Sequence, residues 1–234
     1  MQPGLSIREL FREVLRDYVQ LFPLLMGAAL IVYLPLSLLD STASVFSEVE
    51  STDTLVIARA ILAAAAAALF SLLGAVVYAA IISSLVNRRR GIDDHPLADA
   101  LRALPYGRLM GADVLYALLV SAALLLLIVP GLVLMTRYAL IAPAIEIEGL
   151  GIRDALRRSR ELVRPHFWKM LVVVVPLTFG SDLISDLALS GATGALGEGF
   201  LGDWIGSLLG ELITAPFLGL FLVLAFLRLR ATAE

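Results

Sequence analysis

Cysteine is absent from the 234 residues, which excludes disulfides, thiolate metal sites and thiol nucleophiles together. Histidine is almost absent as well, with His95 and His166 the only imidazoles, and Lys169 is the single lysine among eighteen basic residues. His95 follows Asp93 and Asp94 at a helix start, where the acids serve as caps; His166 stands between Pro165 and the aromatic pair Phe167 and Trp168, an interfacial setting. Neither has the convergent ligands that a metal needs. No P-loop, GxSxG or HExxH pattern occurs. The expectation is a protein without enzyme chemistry, cofactor, metal or nucleic-acid partner.

What the chain does have is apolar length. Hydrophobic residues fill 59% of positions, against about 45–50% in an ordinary soluble domain, and the mean hydropathy is strongly positive. The fold class expected is all-α, a polytopic integral membrane protein forming a single membrane domain over 1–234. The net charge of −3 says little as a total, because the charges are sorted by position. The chain opens on the charged segment SIRELFREVLRDY instead of a signal-peptide pattern, so this end is expected to stay in the mature protein.

In residues 5–18, Ile7, Leu10, Phe11, Val14, Leu15 and Tyr18 share one helical face while acids and arginines cover the other, the pattern of a helix lying along a membrane surface. Ser6 and Glu9 form a capping box at its start. Apolar runs long enough for a hydrocarbon core of about 30 Å follow at about 19–39, 55–86, 109–129, 130–147, 167–187 and 204–227. Between them lie two further amphipathic segments, DDHPLADALRAL and IRDALRRSRELV. Ser71, Ala75, Ala79 and Ser83 make a small-residue stripe, and Gly202, Gly206 and Gly210 a doubled GxxxG, both suited to close helix packing.

Of the eighteen Lys and Arg, only Arg59 and Arg137 fall outside the N-terminal segment, the connections 88–108 and 153–169, and the C-terminus. The positive-inside rule then gives six crossings of the cytoplasmic membrane with both termini cytoplasmic. Reading 109–147 as a hairpin, turned at Pro130 and Gly131, keeps the two Arg-rich connections on one side. The segments beginning at Ile7, Leu97 and Ile152 share one residue pattern, and each precedes a pair of crossings. This predicts three parallel repeats of about 5–87, 95–148 and 151–230, each a cytoplasmic amphipathic helix followed by a transmembrane hairpin.

The stretch VPGLVLMTRYALIAPAIEIEGLGIRDALRRSRELVRPHFWKM, with Pro130, Gly131, Arg137, Glu148, Ala155, Leu156, Ser159 and Trp168, resembles the membrane domain attached to some bacterial glycerophosphodiester phosphodiesterases. It is similar also to stand-alone six-helix inner-membrane proteins of unknown function. The resemblance implies an all-helical membrane domain. It implies no phosphodiesterase activity, since in the fused proteins that chemistry belongs to a separate soluble barrel that is missing from this chain.

Two groups of residues stand out as sites. Arg137 lies inside an apolar run, where an arginine costs about 2.5–3.5 kcal/mol without a partner or water. Glu211, seven residues past Trp204, is placed by residue counting at a similar depth, so the two are candidates for an intramembrane ion pair. Such a pair either fixes helix registration or lines a polar path for a proton, ion or lipid headgroup. Arg157, Arg158, Arg160 and Arg164 make a basic surface facing anionic membrane lipids or a protein partner at the cytoplasmic face. The function expected is a non-catalytic membrane module organising lipid or a partner protein. The alternative is a small transporter or channel using Arg137 and Glu211.

Overall fold

In the computed structural model, the described residues are 6–47, 55–56, 59, 74, 77–87, 89–91 and 105–233, and every element among them is helical. In chain order these are α1 (Ile7–Ser47), α2 (Val77–Asn87), α3 (Tyr106–Leu126), α4 (Ile128–Tyr138), α5 (Ile141–Glu148), α6 (Ile152–Val163), α7 (Phe167–Leu196) and α8 (Phe200–Ala233). A single 3₁₀ turn, Arg164–His166, joins α6 to α7. Four helical stretches are long and apolar enough to cross a membrane: Ile7–Leu39, Ile128–Glu148, Ile152–Leu196 and Phe200–Ala233. Ile31, Leu118, Ile128, Val172, Leu183 and Leu187 stand exposed on the outside, as lipid-facing side chains do. The segment DDHPLADALRAL, and Ser71 and Ala75 of the small-residue stripe, lie outside the described residues.

The first amphipathic segment is not a separate surface helix. Residues 7–47 form one continuous helix of 41 residues, with Pro23 and Pro35 inside it. Leu10, Val14 and Asp17 are buried in line with Leu25, Ala29, Tyr33 and Ser37, so one stripe faces the bundle from end to end.

Helices α1, α7 and α8 make the main layer, α8 lying antiparallel to both neighbours. Phe11 packs on Phe221 and Tyr18 on Phe217, with ring centroids 5.8 Å and 6.3 Å apart. On the other flank Ser185, Leu189 and Thr193 of α7 lie against Gly210, Gly206 and Gly202 of α8. Helix α2 joins through Tyr78, whose hydroxyl donates to the Leu25 carbonyl at 3.2 Å. Ala, Leu and Phe side chains of α8 between 220 and 229 form the most buried part of the core, roofed by α5 and α6.

The fourth apolar run is broken. Pro143 lacks the N–H that would bond the Ala139 carbonyl, and its ring collides with that carbonyl in a continuous helix. Accordingly α4 stops at Tyr138, and α5 restarts at Ile141 with Pro143 in its first turn. Gly149, at φ +66°, then takes the left-handed conformation that folds α6 back along α5.

Candidate functional site

The break between α4 and α5 frees backbone groups where water is scarce, and a side chain from α6 takes both. The Leu140 N–H donates to Ser159 Oγ at 3.2 Å, and the Ser159 hydroxyl donates to the Arg137 carbonyl at 2.8 Å. Ser159 itself is fully buried. In a membrane, where backbone polar groups must be satisfied within the protein, this hydroxyl is what makes the broken span tolerable.

Arg137 thereby sits at the seam between α4, α6 and the start of α7. Its side chain is exposed, and its guanidinium lies 5.8 Å from the Phe167 ring centroid, a cation–π contact. Phe167 meets Trp168 edge-on at 5.5 Å, and Trp168 is 74% exposed. A cation and two aromatic rings therefore share one outward-facing spot.

Helix α6 separates its residues cleanly by face. Ala155, Ser159, Leu162 and Val163 are buried, whereas Arg153, Arg157, Arg160 and Arg164 are exposed at the i, i+4, i+7, i+11 spacing of one stripe. Arg157 is bridged along the helix to Asp154 at 3.2 Å and Glu161 at 3.9 Å, exposed contacts worth little in stability. Arg153, one turn before Arg157, belongs to the same row.

Arg158 does not share that surface, which corrects the expectation for it. It flanks the buried face, and the Gly149 turn brings Glu148 opposite, so the guanidinium grips that carboxylate through Nε at 3.0 Å and Nη2 at 2.9 Å. Arg230 approaches the same carboxylate at 3.6 Å. Similar pairing continues across this end of the bundle. Glu13 accepts from Arg228 at 2.7 Å and from Arg90 at 2.5 Å, and Asp17, 4% exposed, lies 3.3 Å from Arg89. The acids of α1 thus hold α2 and α8 together, and Glu148 holds α6 to α8. Sequence reading had placed the α1 acids on an outer polar face, because nothing local marks a partner 215 residues away.

Arg137 and Glu211 are not brought together. Arg137 lies over Phe167, the first residue of α7, whereas Glu211 is beside Gly210, which packs on Ser185. Eighteen residues of α7 separate those levels, about 27 Å at 1.5 Å per residue. Counting inward from Pro130 and from Trp204 assumed that both turns reach one surface. Helix α4 has only 11 residues, about 16 Å, so its outer turn lies partway along the 30-residue α7. Glu211 instead lines a cavity with Tyr33, Ser37, Ser185, Asp186 and Ser207.

Glu146 of α5 was not among the candidate site residues drawn from the sequence. One of its carboxylate oxygens accepts from the Ser83 hydroxyl at 2.5 Å, while Oε1 is buried with no hydrogen-bond partner among the described residues. Asp113 of α3 is near enough for the two carboxylates to act on each other. Its sequence signal was an acid one residue before the end of an apolar run.

No family model, curated protein or solved structure matches the chain.

Proposed function

We propose that the protein is a non-catalytic integral membrane module that holds anionic lipid headgroups against the arginine row of α6. In this reading the chain crosses the cytoplasmic membrane six times in three parallel repeats, both termini are cytoplasmic, and α6 lies at the inner interface. The observation that carries it is the exposed row Arg153, Arg157, Arg160 and Arg164, flanked by Arg137 and the protruding Trp168. A tryptophan of that exposure beside a belt of apolar side chains marks headgroup depth, and arginines there meet phosphates, not acyl chains. Each contributes about 1 kcal/mol toward an anionic surface, so the row supplies on the order of 4 kcal/mol before salt screening. The resemblance of the 130–168 stretch to a membrane domain that accompanies soluble enzymes fits an accessory role, in which the same face also receives a protein partner.

A transporter with one polar path through Arg137 and Glu211 draws no support from this arrangement, since the two residues stand at different levels. The lipid reading is testable through Trp168, which becomes the only tryptophan once Trp204→Phe is introduced. Brominated phosphatidylglycerol is expected to quench it more strongly than brominated phosphatidylcholine, with the preference weakening in high salt. In the variant carrying Gln at 153, 157, 160 and 164 the preference is expected to disappear. Equal quenching by both lipids in the parent protein would remove the lipid role.

A further inference from the structure

Just inside the end of the bundle that carries the ionic network, helices α2, α3 and α5 bring oxygen-bearing side chains together. Ser83, the last member of the small-residue stripe, is buried on α2, and its hydroxyl donates to Glu146 of α5 at 2.5 Å. The other carboxylate oxygen of Glu146, Oε1, is buried and has no hydrogen-bond partner among the described residues. Asn87 follows Ser83 by one helical turn and so shares its face of α2. Its Oδ1 is likewise buried without a partner among the described residues. Asp113 adds a second carboxylate from α3, which packs against α5.

These oxygens are acceptors without a matching donor. A buried acceptor left so is costly, and a buried carboxylate more costly still unless it is paired. The arginines nearby are held by other acids: Arg89 by Asp17, Arg90 by Glu13, and both Arg158 and Arg230 by Glu148. Among the described residues no ion pair reaches Glu146 or Asp113. The two partnerless oxygens differ in chemistry and come from different helices, a carboxylate on α5 and an amide on α2. What satisfies both is a bound group that takes lone pairs from several oxygens at once.

We propose that Glu146, Asn87 and Ser83 hold a sodium ion between α2 and α5, with the charge of Asp113 supporting it from α3. The Ser83 proton is directed at Glu146, so the lone pairs of its oxygen stay open to a cation. One carboxylate with neutral amide and hydroxyl oxygens balances a single positive charge. Calcium calls for six to eight oxygen ligands with several carboxylates, and magnesium for a near-ideal octahedron. Neither His nor Cys takes part, so the spacing that marks a transition-metal site is missing from the sequence. Asn87 is half-buried, and Arg89 and Arg90 beyond it are exposed, which opens the site toward the aqueous end of the bundle. The site is separate from the α6 row and stands whether or not that row binds lipid.

The test is thermal unfolding of the purified protein in detergent and mildly alkaline buffer, with sodium chloride titrated against choline chloride at matched ionic strength, so that the ionic network is screened alike in both. Sodium is expected to raise the midpoint by several degrees more than choline and to saturate, as binding to the folded state requires. Glu146→Gln keeps the shape and removes the charge, and is expected to abolish the difference; Asn87→Ala is expected to raise the half-saturating sodium concentration. Equal midpoints in the two salts, or a sodium effect that survives Glu146→Gln, would each overturn the site. So would a rise produced by acidification with no response to sodium, which would assign a proton to Glu146, or a larger rise with calcium or magnesium than with sodium. Should Glu146→Gln fail to fold, Asn87→Ala carries the comparison, and a sodium titration identical to that of the parent protein would overturn the proposal.

Discussion

Gly206→Ala is expected to destabilise the bundle by about 1–3 kcal/mol, the range for forcing an extra carbon into a packed contact. A Cβ at this position would stand 2.6 Å from Leu189 Cα and 3.0 Å from Leu189 Cδ1. The obstacle is the backbone of α7, so relief requires the two helices to part, and that would loosen the neighbouring contacts at Gly202 and Gly210 too. Gly180→Ala in α7 is the internal control. Nothing lies within 4 Å of a Cβ there, and Ala is favoured over Gly inside a helix by about 0.5–1 kcal/mol. Denaturation by sodium dodecyl sulfate in mixed micelles should therefore shift in opposite directions for the two variants. Equal tolerance of both would mean that α7 and α8 are not in the observed contact.

Ser159→Ala is the second change with a large expected effect. It removes one oxygen and orphans two buried backbone groups, the Leu140 N–H and the Arg137 carbonyl. At about 1–3 kcal/mol for each unsatisfied buried group, the loss should exceed that of an ordinary buried Ser→Ala change. Ser190→Ala provides the comparison, because its hydroxyl bonds the Asp186 carbonyl on an exposed face of α7 and leaves nothing buried behind. Hydrogen exchange would localise the damage: faster exchange confined to 137–145 is expected. Unchanged protection there, with unchanged stability, would show that the break is satisfied by other means.

Local pattern carried much of this arrangement. The apolar runs announced helices, and the four-residue glycine spacing in α8 marked the face that meets α7. The α6 periodicity separated a buried face from an arginine row. Pro143 also held a readable signal, since a proline in mid-span disrupts the turn before it. Depth was not legible. Placing Arg137 opposite Glu211 required knowing how far the α3–α4 hairpin reaches along α7, which depends on packing among several helices. The partners of Glu13, Asp17 and Glu148 were hidden for a related reason. Identical residues on an isolated amphipathic helix read as a solvated face, and only the continuation of α1 as one rod, with α2 and α8 returning beside it, turns them inward. Arg158 differs from Arg157 by one position, yet that one step moves it from the exposed row to the edge of the buried face.

The most direct test concerns sidedness, on which the lipid-facing role of α6 depends. Helix α8 has 34 residues, about 51 Å of rise against a hydrocarbon core of about 30 Å, so its two ends should lie in different compartments. The absence of native cysteine allows single-thiol labelling without further changes. Glu198→Cys, in the exposed turn between α7 and α8, and Ala233→Cys, at the end of α8 beyond Arg228 and Arg230, are treated on intact cells with a membrane-impermeant maleimide. Labelling of the Glu198→Cys variant alone, with the Ala233→Cys variant reacting only after permeabilisation, is the expected result. Labelling of the Ala233→Cys variant in intact cells, or the same accessibility at both positions, would contradict the topology and with it the placement of the arginine row at the inner membrane surface.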